Sequence, residues 1–285
     1  MYEPQPPAAP SRSLTGRRRR ILALALAVLF VLFVALGFDQ RLQVTRYRYY
    51  NSKLPQAFEG TRIAFLSDLH CKSFGRGQSE LLAAIEEAKP DIVVLTGDIV
   101  DESHTDLSAV EALLQGLQAI APAYYITGNH ELLPTAANQY DSLLKLLEQY
   151  GVTNLDDRTV ALKKDDQSIA LTGSRYRSFY VTQYLPQADE SQFNILLYHG
   201  SDVFDLLAPF GYDLVLAGHT HGGLVRLPLV GGLIGNDGEL FPPYDGGIYT
   251  QGASTMLSSR GLGDAVLPRF YNRPELVLVT LTQEK

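Results

Sequence analysis

Short apolar runs recur along the chain and alternate with stretches in which apolar residues have helical spacing. Five runs are typical of strands buried on both faces, at residues 62–66, 92–96, 124–127, 195–198 and 214–217. Four stretches between them predict helices, at residues 81–88, 107–117, 142–150 and 203–207. This alternation of strands and helices indicates an α/β protein.

The remaining apolar positions predict further strands. Residues 44–50 alternate in the manner of an edge strand, residues 160–163 and 169–172 flank a turn at Asp165-Asp166, and residues 248–281 are mostly strand-like. A strand-rich second half predicts two packed sheets. Because no internal repeat or low-complexity linker interrupts residues 39–285, we expect them to form a single domain.

A charge-free apolar segment precedes this domain. Residues 21–38 are eighteen residues without a charged side chain, and four arginines stand directly before them. As a helix the segment is about 27 Å long, close to the hydrocarbon thickness of a bilayer. Arginines beside a membrane span are expected to stay in the cytoplasm. The sequence therefore predicts a basic cytoplasmic tail at residues 1–20, a transmembrane anchor at residues 21–38, and a domain on the outer face of the plasma membrane.

Two other interpretations of the apolar segment stay open from the sequence. One is a cleaved signal peptide, in which the arginines form a twin-arginine export signal, and the other is a buried core helix. The apolar run is longer than the ~7–15 residues of a signal-peptide core. Ala35-Leu36-Gly37 is a weak match to a cleavage site, so an uncleaved anchor is favoured.

Charge is unevenly distributed along the chain. There are 24 basic and 31 acidic residues, but residues 1–20 hold five arginines and one glutamate, so residues 39–285 carry a formal net charge of −11. An acidic domain argues against binding to nucleic acid. The single cysteine excludes an intramolecular disulfide and a zinc site built from several thiolates.

Polar side chains follow the predicted strands, at the point where each strand ends. Five short segments carry them, SDLH, GDIVD, GNHE, YHG and GHTHGG. These segments contribute Asp68, His70, Asp98, Asp101, Asn129, His130, Glu131, His199, His219 and His221. Because ligands usually bind at the carboxyl ends of strands in an open α/β sheet, we expect these side chains to converge on one point.

The chemistry of this set of side chains points to metal ions. Oxygen and imidazole donors without cysteine suit Mn²⁺, Fe or Zn²⁺. The donors outnumber what one tetrahedral ion needs, which indicates two ions, and two-ion sites stabilise both the attacking and the leaving oxygen of a phosphoryl displacement. Residues two apart in extended backbone point the same way, so an extended Asp68-Leu69-His70 would present two groups to one centre, as would His219 and His221.

One known family carries all five segments in this order. The pattern D-x-H, GD-x-x-D, GNH-E, H-G and GH-x-H, over roughly residues 62–223, resembles the calcineurin-like metallophosphoesterase superfamily. The membrane-led architecture and the strings at residues 259–263 and 269–275 are similar to the bacterial YkuE/YaeI-type phosphodiesterases of the cell envelope. The resemblance implies a four-layer α-β-β-α sandwich of two mixed sheets flanked by helices. It also implies two divalent metal ions and a phosphoester substrate.

The resemblance further implies a role for each matching residue. The first metal would be held by Asp68, His70 and His221, the second by Asn129, His199 and His219, and both by a bridging Asp98. A hydroxide between the metals would attack phosphorus, and His130 would assist the leaving group. Asp101, three residues after the bridging aspartate, would orient His130. Glu131 stands where the family varies between Asp and Glu, and it receives no role.

Several other polar residues have a structural explanation beside a functional one. In the C-terminal string, substrate phosphate could be bound, or ion pairs formed within the loop, by Arg260, Arg269, Asn272 and Arg273. His104 lies outside the five segments, and we expect it in a solvated loop. Cys71 follows His70, and we expect a small buried filler rather than a metal ligand.

Together these observations predict a membrane-anchored, two-metal phosphohydrolase that cleaves phosphodiesters of envelope molecules. A phosphomonoesterase and a non-catalytic metal-binding module of the cell envelope are the alternatives. A third alternative is a structural envelope protein in which metals only connect loops. Loss of a ligand or of the leaving-group histidine would indicate a non-catalytic module, and the sequence retains them all.

Overall fold

The computed structural model describes residues 14–235, 238–263 and 268–283. Their α-helices are, in chain order, Leu14–Gly37 (α1), Ser79–Ala88 (α2), Ser108–Gln118 (α3), Ala137–Gln149 (α4) and Phe204–Leu207 (α5). The strands of the first half are Gln43–Asn51 (β1), Arg62–Leu66 (β2), Ile92–Leu95 (β3), Ala123–Tyr125 (β4), Thr153–Asn154 (β5), Arg158–Lys164 (β6) and Gln167–Gly173 (β7). Those of the second half are Asn194–Gly200 (β8), Leu214–Gly218 (β9), Val225–Leu227 (β10), Gly231–Ile234 (β11), Gly247–Gln251 (β12), Ser254–Ser258 (β13) and Glu275–Gln283 (β14).

Two six-stranded sheets form the centre of the domain. The first has the strand order β1-β14-β2-β3-β4-β5, in which β14 is antiparallel to β2 and the other neighbours are parallel. The second has the order β12-β13-β9-β8-β7-β6, with an antiparallel pair at each edge and parallel strands between. Both sheets are therefore mixed, as the resemblance implied.

Alternate residues of the central strands pack on opposite faces of each sheet. In β2, Ile63 and Phe65 face the core between the two sheets, whereas Ala64 and Leu66 pack against the layer that contains α2, α3 and α4. The residues of β8 divide in the same way between the inter-sheet core and the layer that contains α5. Because both faces are buried, these strands are uninterrupted apolar runs in the sequence. The layers form the expected α-β-β-α sandwich.

The structure confirms most of the predicted elements and corrects others. β1 is an edge strand, β6 and β7 form the predicted hairpin, and α4 begins five residues earlier than the predicted start at residue 142. The expectation of a mostly strand-like tail is wrong between β13 and β14, because the described residues there form a loop held by side-chain hydrogen bonds. The short pair β10 and β11 was not predicted, since strands of three and four residues leave little periodicity.

The N-terminal helix α1 contacts the domain near its C-terminal end, where Phe33 packs against Phe270. Nearly all of its large apolar side chains are exposed, so the interpretation as a buried core helix is wrong. By length and composition, Gly16–Gly37 is able to cross a membrane. Of the predicted cytoplasmic tail at residues 1–20, the part before residue 14 lies outside the described residues.

Candidate metal centre

Side chains from the strand ends form three overlapping groups. Within each group, one potential ligand atom from every member lies within 4.8 Å of the others; the groups are Asp68 with His70 and His221, His70 with Asp98 and His130, and Asp98 with His199 and His219. Asp98 belongs to two of these groups, and it lies three residues after the end of β3. The structure therefore brings together residues that are up to 153 positions apart in the sequence, from His221 back to Asp68.

The first group presents two imidazoles and a carboxylate to one point. The Nε2 atoms of His70 and His221 are 3.2 Å apart, and His221 Nε2 is 3.6 Å from Asp68 Oδ1. All three side chains are buried. Two ring nitrogens that face each other beside a buried carboxylate are suited to hold a cation between them.

The second group is arranged around His199. Its Nε2 lies 2.8 Å from Asn129 Oδ1 and 3.0 Å from Asp98 Oδ2, and its ring centroid is 5.0 Å from that of His219. The Nδ1 atom of His199 lies 2.7 Å from the carbonyl oxygen of Thr96, so this nitrogen carries a proton and donates it. The lone pair of a neutral Nε2 would then face two oxygen acceptors.

Such a contact is unfavourable unless a proton or a metal cation lies between the acceptors. Burial alone would lower the pKa of His199, but the Asp98 and Asp68 carboxylates and the Thr96 carbonyl outweigh it and raise the pKa to about 10. A proton therefore takes this place in the metal-free protein. A backbone carbonyl that fixes the tautomer of a ligating histidine is also usual at metal sites, so the donor set fits divalent cations.

Most of the converging residues have an unusual backbone conformation. A φ angle between 47° and 75° is adopted by Asp68, His70, Asp98, His219 and His221. The condition of extended backbone, under which residues two apart would point the same way, is therefore not met. Left-handed conformations are rare outside glycine, although Asp and His are enriched among the exceptions, and they concentrate at functional sites.

Hydrogen bonds between neighbouring loops hold this conformation. The main-chain N–H of Asp68 donates to the Gly97 carbonyl and that of His70 to the Asp98 carbonyl, both at 3.0 Å. The main-chain N–H of His219 donates to Asp68 Oδ1 at 3.0 Å. Gly218 permits this approach, because a Cβ atom there would overlap the side chains of Ser67 and Asp68.

Glu131 is the residue of the site that the sequence pattern left without a role. Its buried carboxylate accepts hydrogen bonds from the main-chain N–H groups of Asp98 and Gly128 at 2.9 Å and of Ile99 at 2.6 Å. Burial and then the charge of Asp98 raise the pKa of Glu131 to about 7. This one side chain connects the loops that follow β3 and β4. An acidic residue directly after GNH was the available signal, but a lone carboxylate does not reveal which N–H groups it binds.

The prediction that Asp101 orients His130 differs from the structure. Glu102 occupies that position instead, with its Oε2 2.9 Å from Nδ1 of His130. Asp101 lies 2.9 Å from Nδ1 of His104 and 3.6 Å from Nδ1 of His70, and it accepts a hydrogen bond from Ser103. The turn over these residues directs the two adjacent carboxylates to different histidines. His104 is mostly exposed, as expected.

The polar residues of the C-terminal string bind other parts of the protein. Arg269 is buried and donates to the carbonyl oxygens of Gly263 and Arg260 at 2.8 Å, and its Nη2 is 3.1 Å from Nδ1 of His221. Asn272 donates to the carbonyl of His221 at 2.6 Å. These contacts favour the structural explanation over phosphate binding, because they support the loop that carries His221.

The other two members of the string also have protein partners. Arg260 pairs with the buried Glu275 at 2.8 Å, and Arg273 donates to the carbonyl oxygens of Arg41 and Leu42. Cys71 is buried, as expected, and burial raises the pKa of its thiol to about 12. A thiol in that state is a poor metal ligand.

The comparison with known families accounts for this arrangement. Residues 61–223, more than half of the chain, match the calcineurin-like phosphoesterase family. The chain belongs to this family. It is therefore a metal-dependent phosphoesterase of a dinuclear family, as the sequence resemblance implied.

Individual relatives agree with this assignment. The metallophosphoesterase YkuE of Bacillus subtilis is 29% identical over 84% of this chain and 85% of its own length. The phosphodiesterase YaeI of Escherichia coli is 28% identical over 77% of this chain and 82% of its own length. A Danio rerio protein named transmembrane protein with metallophosphoesterase domain is 24% identical over 93% of this chain and 63% of its own length.

Proposed function

We propose that this phosphoesterase is a membrane-anchored enzyme that cleaves phosphodiesters of envelope molecules. The observation that carries the proposal is that Asp98 forms one group with His199 and His219 and another with His70 and His130. A relative named as a phosphodiesterase supports the diester preference. The exposed apolar helix α1 and a relative named as a transmembrane protein support the anchor.

In this proposal the site would hold two divalent cations, Mn²⁺, Fe or Zn²⁺. Asp68, His70 and His221 would hold the first, Asn129, His199 and His219 would hold the second, and Asp98 would contribute to both. When bound, a pair of such cations supplies Lewis acidity and a nucleophile at neutral pH. The protein's own contribution is to bury these ligands and to fix them through Glu131, Arg269 and the Thr96 carbonyl.

His130 donates the proton to the leaving oxygen. Its main-chain N–H is bound by Asp98 Oδ1 at 2.9 Å, and its ring lies edge-on to that of His70 with centroids 4.7 Å apart. The side chain stays partly exposed, so a substrate can reach it. Hydrogen bonds from its own backbone and from His130 lower the pKa of Glu102, and the resulting carboxylate lies 2.9 Å from Nδ1 of His130 and orients the ring.

The chain is arranged in this proposal as a cytoplasmic basic tail at residues 1–20, an anchor at residues 21–38 and a phosphoesterase domain at residues 39–285. The arginines in the first turns of α1, directly before its apolar run, favour a cytoplasmic N-terminus, which leaves the domain on the outer face of the plasma membrane. An enzyme held there meets envelope phosphoesters before soluble cytoplasmic ones.

The test is a matrix of metals and substrates on the full chain in detergent micelles. Bis(p-nitrophenyl) phosphate and p-nitrophenyl phosphate are assayed with Mn²⁺, Fe²⁺ and Zn²⁺, and the bound metal is measured. Asp98→Asn and His130→Ala should lose activity, whereas Asp166→Asn, in the exposed turn between β6 and β7, should keep it. A higher kcat/KM for the monoester than for the diester would show that the protein is a phosphomonoesterase and not a phosphodiesterase. No turnover above Asp98→Asn with any metal, despite stoichiometric metal, would favour a non-catalytic module.

A further inference from the structure

One surface near the candidate metal centre exposes large apolar side chains. Leu229 and Val230, in the turn between β10 and β11, and Leu240 and Phe241, in the segment beside β11, are all exposed. The main-chain N–H of Phe241 donates to the Leu233 carbonyl at 3.0 Å, so this segment pairs with the same hairpin that bears the turn. We name these four exposed residues the apolar rim. Large apolar side chains that are exposed together on one surface element mark a contact with a partner or a membrane.

The apolar rim is joined to the end of helix α1 through Phe270. Val225, the first residue of β10, forms a bridge with Phe270, and the main-chain N–H of Arg226 donates to its carbonyl at 2.9 Å. The Phe270 ring lies 5.9 Å from that of Phe33 and 5.1 Å from that of Phe38, centroid to centroid. The hairpin that bears the rim therefore begins beside the last turn of α1.

Contacts of Tyr271 fix the level of this hairpin relative to a bilayer. Its hydroxyl donates to the carbonyl oxygen of Phe33 at 2.7 Å, and its main-chain N–H donates to that of Gly37 at 2.6 Å. Phe33 lies inside the apolar run, about 6 Å before Gly37 along the helix. The loop at Phe270 and Tyr271 thus lies at the boundary of the span, where aromatic residues are enriched. Leu229 follows Val225 by four residues, which is about 13 Å along an extended strand.

The same loop is tied to the candidate metal centre. Asn272 donates to the carbonyl oxygens of His221 and Gly223, both at 2.6 Å. His221 precedes β10 by four residues. A membrane contact at the hairpin would therefore hold the ligand loop close to the bilayer surface.

We propose that the apolar rim inserts into the headgroup boundary of the bilayer that α1 spans, and that the metal centre acts there on phosphoesters of membrane-embedded molecules. The proposal rests on the proposed function for the anchor and for the chemistry. We assign the membrane as the partner of the rim because the hairpin that bears the rim is joined to α1 through Phe270. Phe270 forms a bridge with Val225 and packs against Phe33. Insertion of Leu and Phe side chains removes apolar area from water, which favours the membrane-bound position.

Depth-dependent quenching on the full chain tests the contact. Two variants, Leu229→Cys and Phe241→Cys, are each labelled at the introduced cysteine with an environment-sensitive fluorophore. Each is reconstituted into vesicles that contain brominated phosphatidylcholine. Leu29→Cys, within α1, is the positive control. Asp166→Cys, in the turn that precedes β7 at the end of the sheet opposite to the metal centre, is the matched negative control. Cys71 stays in place because it is buried.

The rim positions should be quenched within about twofold of Leu29→Cys, while Asp166→Cys should not be quenched. Rim positions that behave like Asp166→Cys, while Leu29→Cys is quenched, would overturn the contact and leave the anchor intact. Protection from aqueous iodide without quenching by lipid would also overturn it, because a second copy or another protein would then cover the rim. Absence of quenching at Leu29→Cys would instead contradict the anchor itself.

An activity measurement tests the substrate class. Leu229→Asp should keep the rate on bis(p-nitrophenyl) phosphate within about twofold, and should lower by tenfold or more the cleavage of headgroup-labelled phosphatidylethanolamine in phosphatidylglycerol vesicles. Asp166→Asn should change neither rate. A wild-type chain that cleaves the soluble diester but not the vesicle lipid would contradict the substrate class. A chain that cleaves neither would contradict the proposed function.

Discussion

At the residue scale, the candidate centre depends on side chains whose positions the sequence does not reveal. The five ligand segments were recognisable from their order, and the structure brings their histidines and aspartates together. The left-handed backbone at Asp68 and His221 was not recognisable, because Asp and His adopt that conformation only when tertiary contacts hold it. The sequence also does not reveal which of two adjacent carboxylates contacts His130. The local turn directs Glu102 to His130 and Asp101 to His104.

The first prediction separates these two carboxylates. Glu102→Gln should lower kcat by about tenfold to a hundredfold with little change in KM, because it removes the carboxylate that orients the His130 ring. Glu102→Asp keeps a carboxylate at this position and should lose less. The measurement is kcat and KM for a diester, together with bound metal. Asp101→Asn is the comparison, and it should also lower metal affinity, because Asp101 lies 3.6 Å from Nδ1 of the ligand His70. An unchanged kcat in Glu102→Gln would contradict the orienting role of Glu102.

The second prediction concerns the proton on His199. In the metal-free protein its pKa is raised from 6.5 to about 10 by Asp98 and Asp68, against the effect of burial. Because the folded pKa is above the unfolded value, this protonation stabilises the metal-free fold fully below pH about 6.5, and the contribution is lost as the pH rises through about 10. A cation at Nε2 displaces the proton. Apparent metal affinity should therefore rise by about tenfold per pH unit for this proton.

The measurement is chelator competition with the full chain between about pH 7 and pH 9, with thermal unfolding of the metal-free protein at the same pH values. His199→Gln is the control, and it should lose this part of the pH dependence. A metal affinity independent of pH in the wild type would show that no proton occupies Nε2 of His199. That result would contradict the protonation of His199 inferred from its contacts with Asn129 Oδ1 and Asp98 Oδ2.

At the element scale, the strands and helices that could be predicted are those with a clear pattern of apolar residues. The strands β2, β3, β8 and β9 are buried on both faces, so each is an uninterrupted apolar run in the sequence. The loop between β13 and β14 could not be predicted, because Arg269 and Asn272 hold it by hydrogen bonds to the carbonyl groups of Arg260 and His221, and no sequence pattern marks those partners. The strands β10 and β11 could not be predicted either, because they are too short to show a periodic pattern. These elements nevertheless support the loop that carries His221.

The third prediction tests that support. Arg269→Gln should lower the free energy of unfolding by about 3 kcal/mol, because it leaves buried carbonyl groups such as those of Gly263 and Arg260 without a donor. It should also weaken metal binding by about tenfold to a hundredfold, through the displaced His221. Denaturant titration and metal competition measure the two effects.

Arg273→Gln is the matched control, because that guanidinium donates to the carbonyls of Arg41 and Leu42 near the end of α1. It should cost less than about 1 kcal/mol and leave metal binding unchanged. If Arg269→Gln keeps metal affinity while Arg273→Gln loses it, the assignment of the supporting role to Arg269 is wrong.

At the scale of the whole molecule, hydropathy alone predicted the apolar N-terminal helix, but not how it meets the domain. The contacts of Phe33 with Phe270 and Tyr271 join positions more than 230 residues apart in the sequence. They attach the end of α1 to the loop that also holds His221. Helix α1 and the candidate metal centre are thus connected through one loop. The sequence suggested a separate N-terminal segment and domain, for which no such connection is needed.

The last prediction concerns the orientation of this assembly. The four consecutive arginines in the first turns of α1, directly before its apolar run, should remain in the cytoplasm. Asp166→Cys, in the exposed β6–β7 turn, should therefore react with a membrane-impermeant maleimide in intact bacterial spheroplasts. A cysteine at Ser13 should react only after permeabilisation. Replacing Arg17, Arg18, Arg19 and Arg20 by glutamine should weaken this asymmetry, because the positive charges determine it. Labelling of Ser13→Cys in intact spheroplasts, with Asp166→Cys protected, would place the domain in the cytoplasm. The rim and the metal centre would then face the inner leaflet, and the substrates would be phosphoesters of that leaflet.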